Sequence, residues 1–317
     1  MPTNKILTSE FAIFKKAMKL MGNRFEISVI ADSEEYAMQC IDEAVYEIQR
    51  IEKLLTTFAE SSETNLINRN AGLEPVVVSR EVFDLIARSK RISKLTQGAF
   101  DITYGSVDKQ LWNFDQHMTR LPDAATASRL VRLINFQNVV LDENKCTVLL
   151  REKGMRIGFG GIGKGYAADK AKALLVRKGI NSGIVNASGD LTVWGTQPNG
   201  KHWTIGIADP NAGREAFSSL ELSNTSIATS GNYEKFAIVD GKKYSHTIDP
   251  KTGMPVTGIK SVTIIAPMAE LADALATPVM IMGIKVGLHL INQLKDIACI
   301  IVDDDDNIYT SENIKLK

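Results

Sequence analysis

Asp273 and Thr277 are the first residues whose types and spacing suggest chemistry. They stand four positions apart in a segment with helical periodicity, so both side chains lie on one face of the helix. A carboxylate and a hydroxyl there offer two oxygen ligands to a hard cation such as Mg²⁺, whose shell backbone carbonyls and phosphate oxygens would complete. The alternative is an ordinary polar helix face. Pro278 lacks an N–H, which predicts a bend directly after the two candidate ligands and favours a metal site.

A glycine-rich stretch over residues 156–170 could hold an anion. Five glycines fall within eight residues, from Gly158 to Gly165, and an alanine-rich helical pattern follows. Glycine lets the backbone approach a ligand closely, and a helix N-terminus offers unpaired N–H groups. Lys164 lies inside this stretch, where it could reach a phosphate. The spacing matches neither the Gly-x-Gly-x-x-Gly pattern nor the P-loop, so a tight turn with a solvated lysine remains an equal alternative.

His246 and Asp101 are two further candidates. His246 ends a predicted strand before a turn, so it could point into a cleft and act as an acid or base. A histidine held by a local hydrogen bond fits the same spacing. Asp101 follows Phe100 in a glycine-bounded segment, where it could help to hold a planar ring or simply cap a turn. The four histidines and three cysteines show no metal-ligand spacing.

Hydrophobic periodicity and capping signals predict the elements that position these residues. Strands are predicted over residues 25–30, 139–141, 146–150, 203–210, 261–266 and 298–302. Residues 183–194 predict a strand, a turn and a second strand, and a hairpin is predicted to turn at residues 240–241. Helices are predicted after a capping box at Asp32 and Glu35, after an N-cap at Ser79, after the glycine-rich stretch, near Pro267 and around Leu290. The irregular alternation predicts an α+β fold, a mixed sheet with flanking helices. We expect a single domain over residues 10–317, as one body or as two closely joined subdomains.

Composition limits the classes of function. The chain has 317 residues, 44% of them apolar, which is enough for a large core. Lys+Arg and Asp+Glu are both 37, so no basic excess indicates nucleic acid as a partner. No apolar run reaches the length of a membrane span. We recognise no signal peptide, which predicts a cytoplasmic protein; an export signal outside this chain would instead place it on the periplasmic side of the inner membrane.

Several segments, taken together and in order, resemble one family. They are residues 21–23, 98–103, 156–169, 229–233, 245–253 and 262–277. This ordered set is similar to the ApbE-type FAD:protein FMN transferases and covers nearly the whole chain. The resemblance implies an ApbE-like fold and a Mg²⁺-dependent enzyme with FAD as substrate. Such enzymes cleave the FAD pyrophosphate, attach FMN to a threonine of an acceptor protein and release AMP.

The resemblance also implies roles for individual residues. The metal ligands would be the Asp273 and Thr277 side chains and the Gly161 carbonyl, and His246 would transfer the proton, with Asp273 as the second catalytic residue. The FAD contacts would be Met21, Phe58, Ala99, Phe100, Asp101, Lys164, His246 and Ile248. The family position at Phe58 is often tyrosine, so stacking would be kept and a hydrogen bond lost.

The sequence departs from the family in three places. Gly158 stands where the family stretch usually begins with aspartate, and Gly163 replaces the alanine before the lysine. Many relatives carry a lipobox cysteine near the N-terminus, whereas the first cysteine here is Cys40. Two other functions remain open at this point: an FAD pyrophosphatase that uses water as acceptor, and an FAD-binding protein without turnover.

Overall fold

The computed structural model describes residues 11–107, 121–208, 216–232, 236–239, 242–245 and 247–314. The α-helices are α1 (Glu34–Leu55), α2 (Glu63–Arg69), α3 (Arg80–Leu95), α4 (Ala124–Leu130), α5 (Gly163–Arg177) and α6 (Ala269–Asn292). The strands are β1 (Ala12–Leu20), β2 (Asn23–Ala31), β3 (Val76–Val77), β4 (Val139–Asp142), β5 (Thr147–Leu150), β6 (Gly183–Ala187), β7 (Asp190–Trp194), β8 (Trp203–Ala208), β9 (Ala216–Leu222), β10 (Thr225–Gly231), β11 (Phe236–Val239), β12 (Lys242–Ser245), β13 (Ile259–Ala266), β14 (Ala298–Asp303) and β15 (Ile308–Thr310). Two short 3-10 turns cover Ile102–Ser106 and Phe136–Asn138.

A large antiparallel sheet forms the centre of the fold. Its described strands lie in the order β1-β2-β6-β7-β10-β13-β14-β15. Every described pair of neighbours is antiparallel, so the α+β class is confirmed and the expected mixed sheet is corrected. Short turns explain much of this, because β1–β2 and β6–β7 are joined by two residues and β14–β15 by four, and such short turns can join only antiparallel strands.

The connection from β13 to β14 reverses direction inside α6. The backbone of α6 leaves the helical conformation at Gly283, with φ 79° and ψ 168°. A Cβ on Gly287 would lie 2.8 Å from the side chain of Val279, eight residues earlier, whereas eight residues of straight helix rise about 12 Å. The chain therefore folds back at Gly283, and β14 can start beside the end of β13. The bend expected at Pro278 stays a prediction, and the residue of α6 that leaves the helical conformation is Gly283.

Helix α6 also corrects the expectation about membrane-length segments. It is the one helix in the described part of the chain that is long and apolar enough to cross a membrane. Its composition follows from packing, since 13 of its 24 residues are buried in the fold. The break at Gly283 also divides it into two helical segments.

The two faces of the sheet are covered differently. Helices α1, α5 and α6 pack on one face and form the main core, which includes Phe25, Ile264 and Leu275. The ribbon of β8 and β9 contributes Trp203 and Ile205 to a smaller core on the sheet. Strands such as β7 and β14 are buried along their whole length. The helical face carries the glycine-rich stretch and α6 and so positions the candidate site.

Local capping agrees with the sequence in one helix and differs in another. Ser79 caps α3 and accepts a hydrogen bond from the Val82 N–H, as predicted. The cap of α1 is Ser33 rather than Asp32, and it accepts from the Tyr36 N–H. Both residue types are good caps, and neighbouring candidates cannot be ranked by type alone.

Candidate functional site

A cavity of about 660 Å³ lies where four segments meet at the helical face of the sheet. It is bounded by the β1–β2 turn, the end of α1, residues 99–107 and the start of α5, with α6 behind. Most of the sequence-predicted residues line this cavity: Met21, Phe58, Ala99, Phe100, Asp101, Gly161, Lys164 and Thr277. Residues far apart in sequence thus form one site of the size expected for a small-molecule ligand.

Met21 is placed by a two-residue hairpin turn. Met21 and Gly22 both have positive φ, 51° and 75°, and the Asn23 side chain donates to the Met21 carbonyl at 2.9 Å. Such turns match the twist of the flanking strands. The Met21 side chain reaches the start of α5, because its Cε lies 3.6 Å from where a Cβ on Gly163 would be.

Phe58 stands at the rim of the cavity with 97% of its surface exposed. It follows the end of α1 at Leu55 and makes no contribution to the core. A phenyl ring held in water at a cavity edge is available to stack on a planar ligand, since aromatic pairs contribute beyond their buried area.

The Ala99–Asp101 segment forms the opposite wall, and the Asp101 carboxylate is already occupied there. One oxygen accepts from the Thr103 N–H at 2.8 Å and from its hydroxyl at 2.6 Å. The other accepts from the Phe136 N–H at 2.9 Å. Asp101 therefore caps a 3-10 turn and fixes the wall. Phe100 packs over the glycine-rich stretch, 3.7 Å from a Cβ position on Gly161.

The carboxylate of Asp273 occupies the N-terminus of α5. It accepts a hydrogen bond from the Gly165 N–H at 3.0 Å, and the Lys164 N–H also points at it. The first-turn N–H groups expected to bind a phosphate thus already bind a carboxyl group from α6. Asp273 is buried and lies behind the cavity wall rather than on it.

A second buried carboxylate lies beside this site. The Lys164 ammonium forms an ion pair with Asp190, the first residue of β7, which is 3% exposed. Burial, and then the negative charge of Asp190, raise the pKa of the Asp273 carboxyl, while Lys164 acts in the opposite direction. A cation bound near both carboxyl groups would stabilise the ionised form of Asp273.

Thr277 follows Asp273 by one helical turn and faces the cavity. Its hydroxyl shares a hydrogen bond with the Ser230 hydroxyl at 2.8 Å, from the end of β10. The bond orients the Thr277 oxygen. Gly161 and Thr277 both line the cavity, whereas Asp273 lies behind its wall.

Ile248 does not line the cavity, although it contacts a residue that does. It is 1% exposed and packs with Ala127 and Leu130. Its N–H donates to the Tyr104 hydroxyl at 3.4 Å, and Tyr104 does line the cavity. His246 lies outside the described residues. The next residue, Thr247, is on the cavity wall.

A second cavity and the distribution of metal-binding side chains both bear on the choice of site. A larger cavity of about 830 Å³ lies between the β9–β10 turn and the end of α6, and its described lining includes none of the predicted residues. Within the described ranges, no group of three or more His, Cys, Asp or Glu side chains could hold a metal ion. A metal at the main cavity would therefore need hydroxyl, carbonyl or ligand oxygens in addition to carboxylate.

Comparison with known proteins identifies the family of this chain. The sequence model of the ApbE family matches residues 21–301. This chain belongs to the ApbE family. An FAD:protein FMN transferase of Klebsiella pneumoniae is 32% identical over 311 residues, 98% of this chain and 95% of the relative. One from Treponema pallidum is 30% identical over 317 residues, 95% of this chain and 87% of the relative.

Solved ApbE structures share the fold. The ApbE protein of Thermotoga maritima superposes with a TM-score of 0.85 at 30% identity, covering 95% of this chain and 98% of that one. The flavin transferase ApbE of Vibrio cholerae gives 0.83 at 25% identity, with the same coverage of both chains. The expected ApbE-like fold is therefore confirmed.

Gly158, where the sequence departs from the family pattern, has open space around it. Gly158 lines the cavity, and a Cβ there would meet no atom within 4 Å. Sequence reasoning missed Asp190, whose one signal is a charged residue at the start of a buried strand. Ser230 lies in a segment that resembles the family, and Tyr104 lies in the glycine-bounded segment with Asp101, but neither was given a role of its own.

Proposed function

We propose that this chain is a Mg²⁺-dependent FAD:protein FMN transferase that attaches FMN to a threonine of an acceptor protein and releases AMP. Membership of the ApbE family and full-length relatives with transferase activity support this. The observation that carries the proposal is the single cavity that joins the glycine-rich stretch, Lys164 and Thr277 to exposed aromatic and apolar side chains. A region suited to binding phosphate lies next to a region suited to binding a planar ring, and a dinucleotide such as FAD contains both groups.

The donor set fits Mg²⁺. The Asp273 carboxylate, the Thr277 hydroxyl and the Gly161 carbonyl would hold it, and a cation there would stabilise the ionised form of Asp273, whose pKa is raised by burial and by Asp190. Mg²⁺ takes hard oxygen ligands and keeps positions for water and phosphate oxygens. When bound, it would neutralise charge on the pyrophosphate.

The chain's own residues bind and orient FAD. The Lys164 ammonium can exchange Asp190 for a phosphate oxygen, because Lys164 itself lines the cavity. The glycine loop lets the backbone approach the pyrophosphate closely, since Gly158 and Gly160 carry no side chain and face open space. Phe58 and Met21 offer the flavin ring a stacking and an apolar surface.

The transfer itself needs an aligned nucleophile and a proton acceptor. The threonine oxygen of the acceptor attacks the phosphorus of the FMN half. A new P–O bond forms while the bond from that phosphorus to the bridging oxygen breaks, and AMP leaves with the bridging oxygen. His246 takes the hydroxyl proton, a role that the family resemblance implies and the cavity position of Thr247 supports.

One incubation separates transferase, pyrophosphatase and binding protein. The protein is mixed with FAD and Mg²⁺, with and without a threonine-containing flavin-acceptor domain. We expect AMP release that depends on the acceptor and flavin fluorescence on the acceptor in a denaturing gel. AMP and free FMN at equal rates without acceptor would indicate a pyrophosphatase, and bound FAD without AMP would indicate a binding protein.

A further inference from the structure

Helices α5 and α6 start beside each other, and neither has a capping side chain of its own. Ile162 and Met268 occupy the N-cap positions, and neither side chain accepts a hydrogen bond from its helix. Caps are normally Ser, Thr, Asp or Asn, whose oxygen satisfies an N–H of the first turn. The free N–H groups of both helices must therefore find acceptors elsewhere.

Each helix supplies the acceptor for the other. Asp273 of α6 accepts from the Gly165 N–H of α5. In return, Asp169 of α5 accepts from the Ala269 N–H at 3.0 Å and from the Glu270 N–H at 2.8 Å, one with each carboxylate oxygen. This exchange fixes both the separation and the rotation of the two helix starts, because a two-oxygen contact on two successive N–H groups allows little turning.

The two backbones are in contact at this crossing. A Cβ on Gly165 would lie 2.1 Å from the Ala269 carbonyl oxygen, closer than any real contact. The helices can approach this closely because residue 165 has no side chain. A shift of the α6 start relative to α5 would therefore break the hydrogen bonds at both ends of the exchange.

Ala269, Asp273 and Thr277 follow at steps of four residues, so they lie along one face of α6. Asp169 holds the first of them, while the other two are the candidate side-chain ligands. We propose that Asp169 is a positioning residue for the metal-binding face of α6. It acts by holding the first turn of α6 against α5, so that Asp273 and Thr277 meet the Gly161 loop. This role rests on the proposed function. Asp169 itself is not on the cavity wall.

Asp169→Asn tests the role with little change of shape. Asparagine keeps one acceptor oxygen but turns an NH₂ group toward the second N–H of α6, so one half of the contact becomes repulsive. We expect the affinity for Mn²⁺ to fall about 10- to 100-fold, as is typical when a group supporting a metal ligand is removed. Mn²⁺ is added alone as the probe, and its binding is measured as the decrease in the EPR signal of the free ion. Asp169→Glu, which keeps both acceptors, should recover part of the affinity.

Asp303→Asn is the matched control. Asp303 is also a buried carboxylate that accepts from backbone N–H groups, including that of Asn307 at 2.8 Å, but it lies in the β14–β15 turn, away from the cavity. Both asparagine variants should unfold at a lower temperature. Only the change at Asp169 should weaken Mn²⁺ binding. Equal affinity in Asp169→Asn and the natural protein would overturn the positioning role.

Ala269→Pro gives a second, independent variant. Proline is well tolerated at the first position of a helix and removes only the N–H that donates to Asp169. Met268 already has the extended conformation, φ −129° and ψ 141°, that a residue before proline prefers. We expect weaker Mn²⁺ binding in this folded variant also, and natural affinity would count against the proposal. If the natural protein binds Mn²⁺ but releases no AMP from FAD, the proposed function fails while the positioning role stands.

Discussion

The carboxylate of Asp273 accepts a hydrogen bond from the Gly165 N–H at 3.0 Å. This contact joins α6 to the glycine-rich stretch, more than 100 residues earlier in the chain. A candidate metal ligand thereby sits on the positive end of the α5 dipole, which favours its ionised form. Burial and the neighbouring Asp190 act against ionisation. These effects act on the pKa of Asp273 in opposite directions, and a bound cation would lower that pKa and favour the charged form.

Asp273→Asn should remove activity and leave the fold intact. The amide keeps an oxygen for the Gly165 N–H, so stability should change by no more than about 1–2 kcal/mol, the range for a lost helix cap. Activity should fall by more than about 100-fold, beyond the usual effect of groups that merely support a ligand. AMP release and thermal unfolding measure the two effects. Glu270→Gln is the control, because Glu270 is a buried carboxylate in the same turn that pairs with Arg88 and does not line the cavity. Full Mg²⁺-dependent activity in Asp273→Asn would place the metal elsewhere.

Thr277→Val deletes one oxygen ligand while keeping the shape of the side chain. Activity should fall and recover in part at high Mg²⁺, because the loss is one of metal affinity. Ser230→Ala removes the partner of the Thr277 hydroxyl without removing the ligand, so its effect should be smaller. The Mg²⁺ concentration for half-maximal activity measures both. Equal half-maximal concentrations in Thr277→Val and the natural protein would show that the hydroxyl binds no metal.

Phe58→Ala should weaken FAD binding and leave stability unchanged. The ring is 97% exposed, and exposed substitutions usually change stability by less than about 0.5 kcal/mol. A lost stacking contact of about 1 kcal/mol corresponds to roughly a fivefold loss of FAD affinity. ADP, which has no flavin ring, should bind equally well to both proteins, and Phe58→Tyr should retain FAD affinity. A parallel loss of ADP affinity would mean that Phe58 contacts the other end of the ligand.

His246→Ala should stop FMN transfer and spare FAD binding. A residue that moves a proton in the transition state contributes about 10²–10⁴ in rate. FAD titration and flavin transfer to the acceptor are measured on the same protein. Unchanged transfer would return His246 to a structural role.

Local sequence signals predicted most elements because their causes are local. The Ser79 cap, the Val139–Leu150 hairpin and the helix after the glycine-rich stretch all depend on neighbours within a few residues. The reversal of α6 at Gly283 was not predicted, because a single glycine in an apolar helical pattern does not indicate a positive φ.

Contacts between distant segments could not be predicted from one sequence. The Lys164–Asp190 pair and the Thr277–Ser230 hydrogen bond span 26 and 47 residues. The start of α5 predicts a phosphate site, whereas the fold places the Asp273 carboxyl group there. The sequence gives Asp169 no role, since its partners on α6 are 100 residues away.

The stoichiometry of one reaction tests the central claim most directly. The protein, FAD and Mg²⁺ are incubated with a threonine-containing acceptor domain, and AMP is quantified beside acceptor carrying FMN, identified by mass spectrometry. We expect one AMP for each flavinylated acceptor, the FMN as a phosphoester on threonine, and no product after EDTA. AMP formed with no FMN on the acceptor, or an acceptor modified without AMP, would contradict the account.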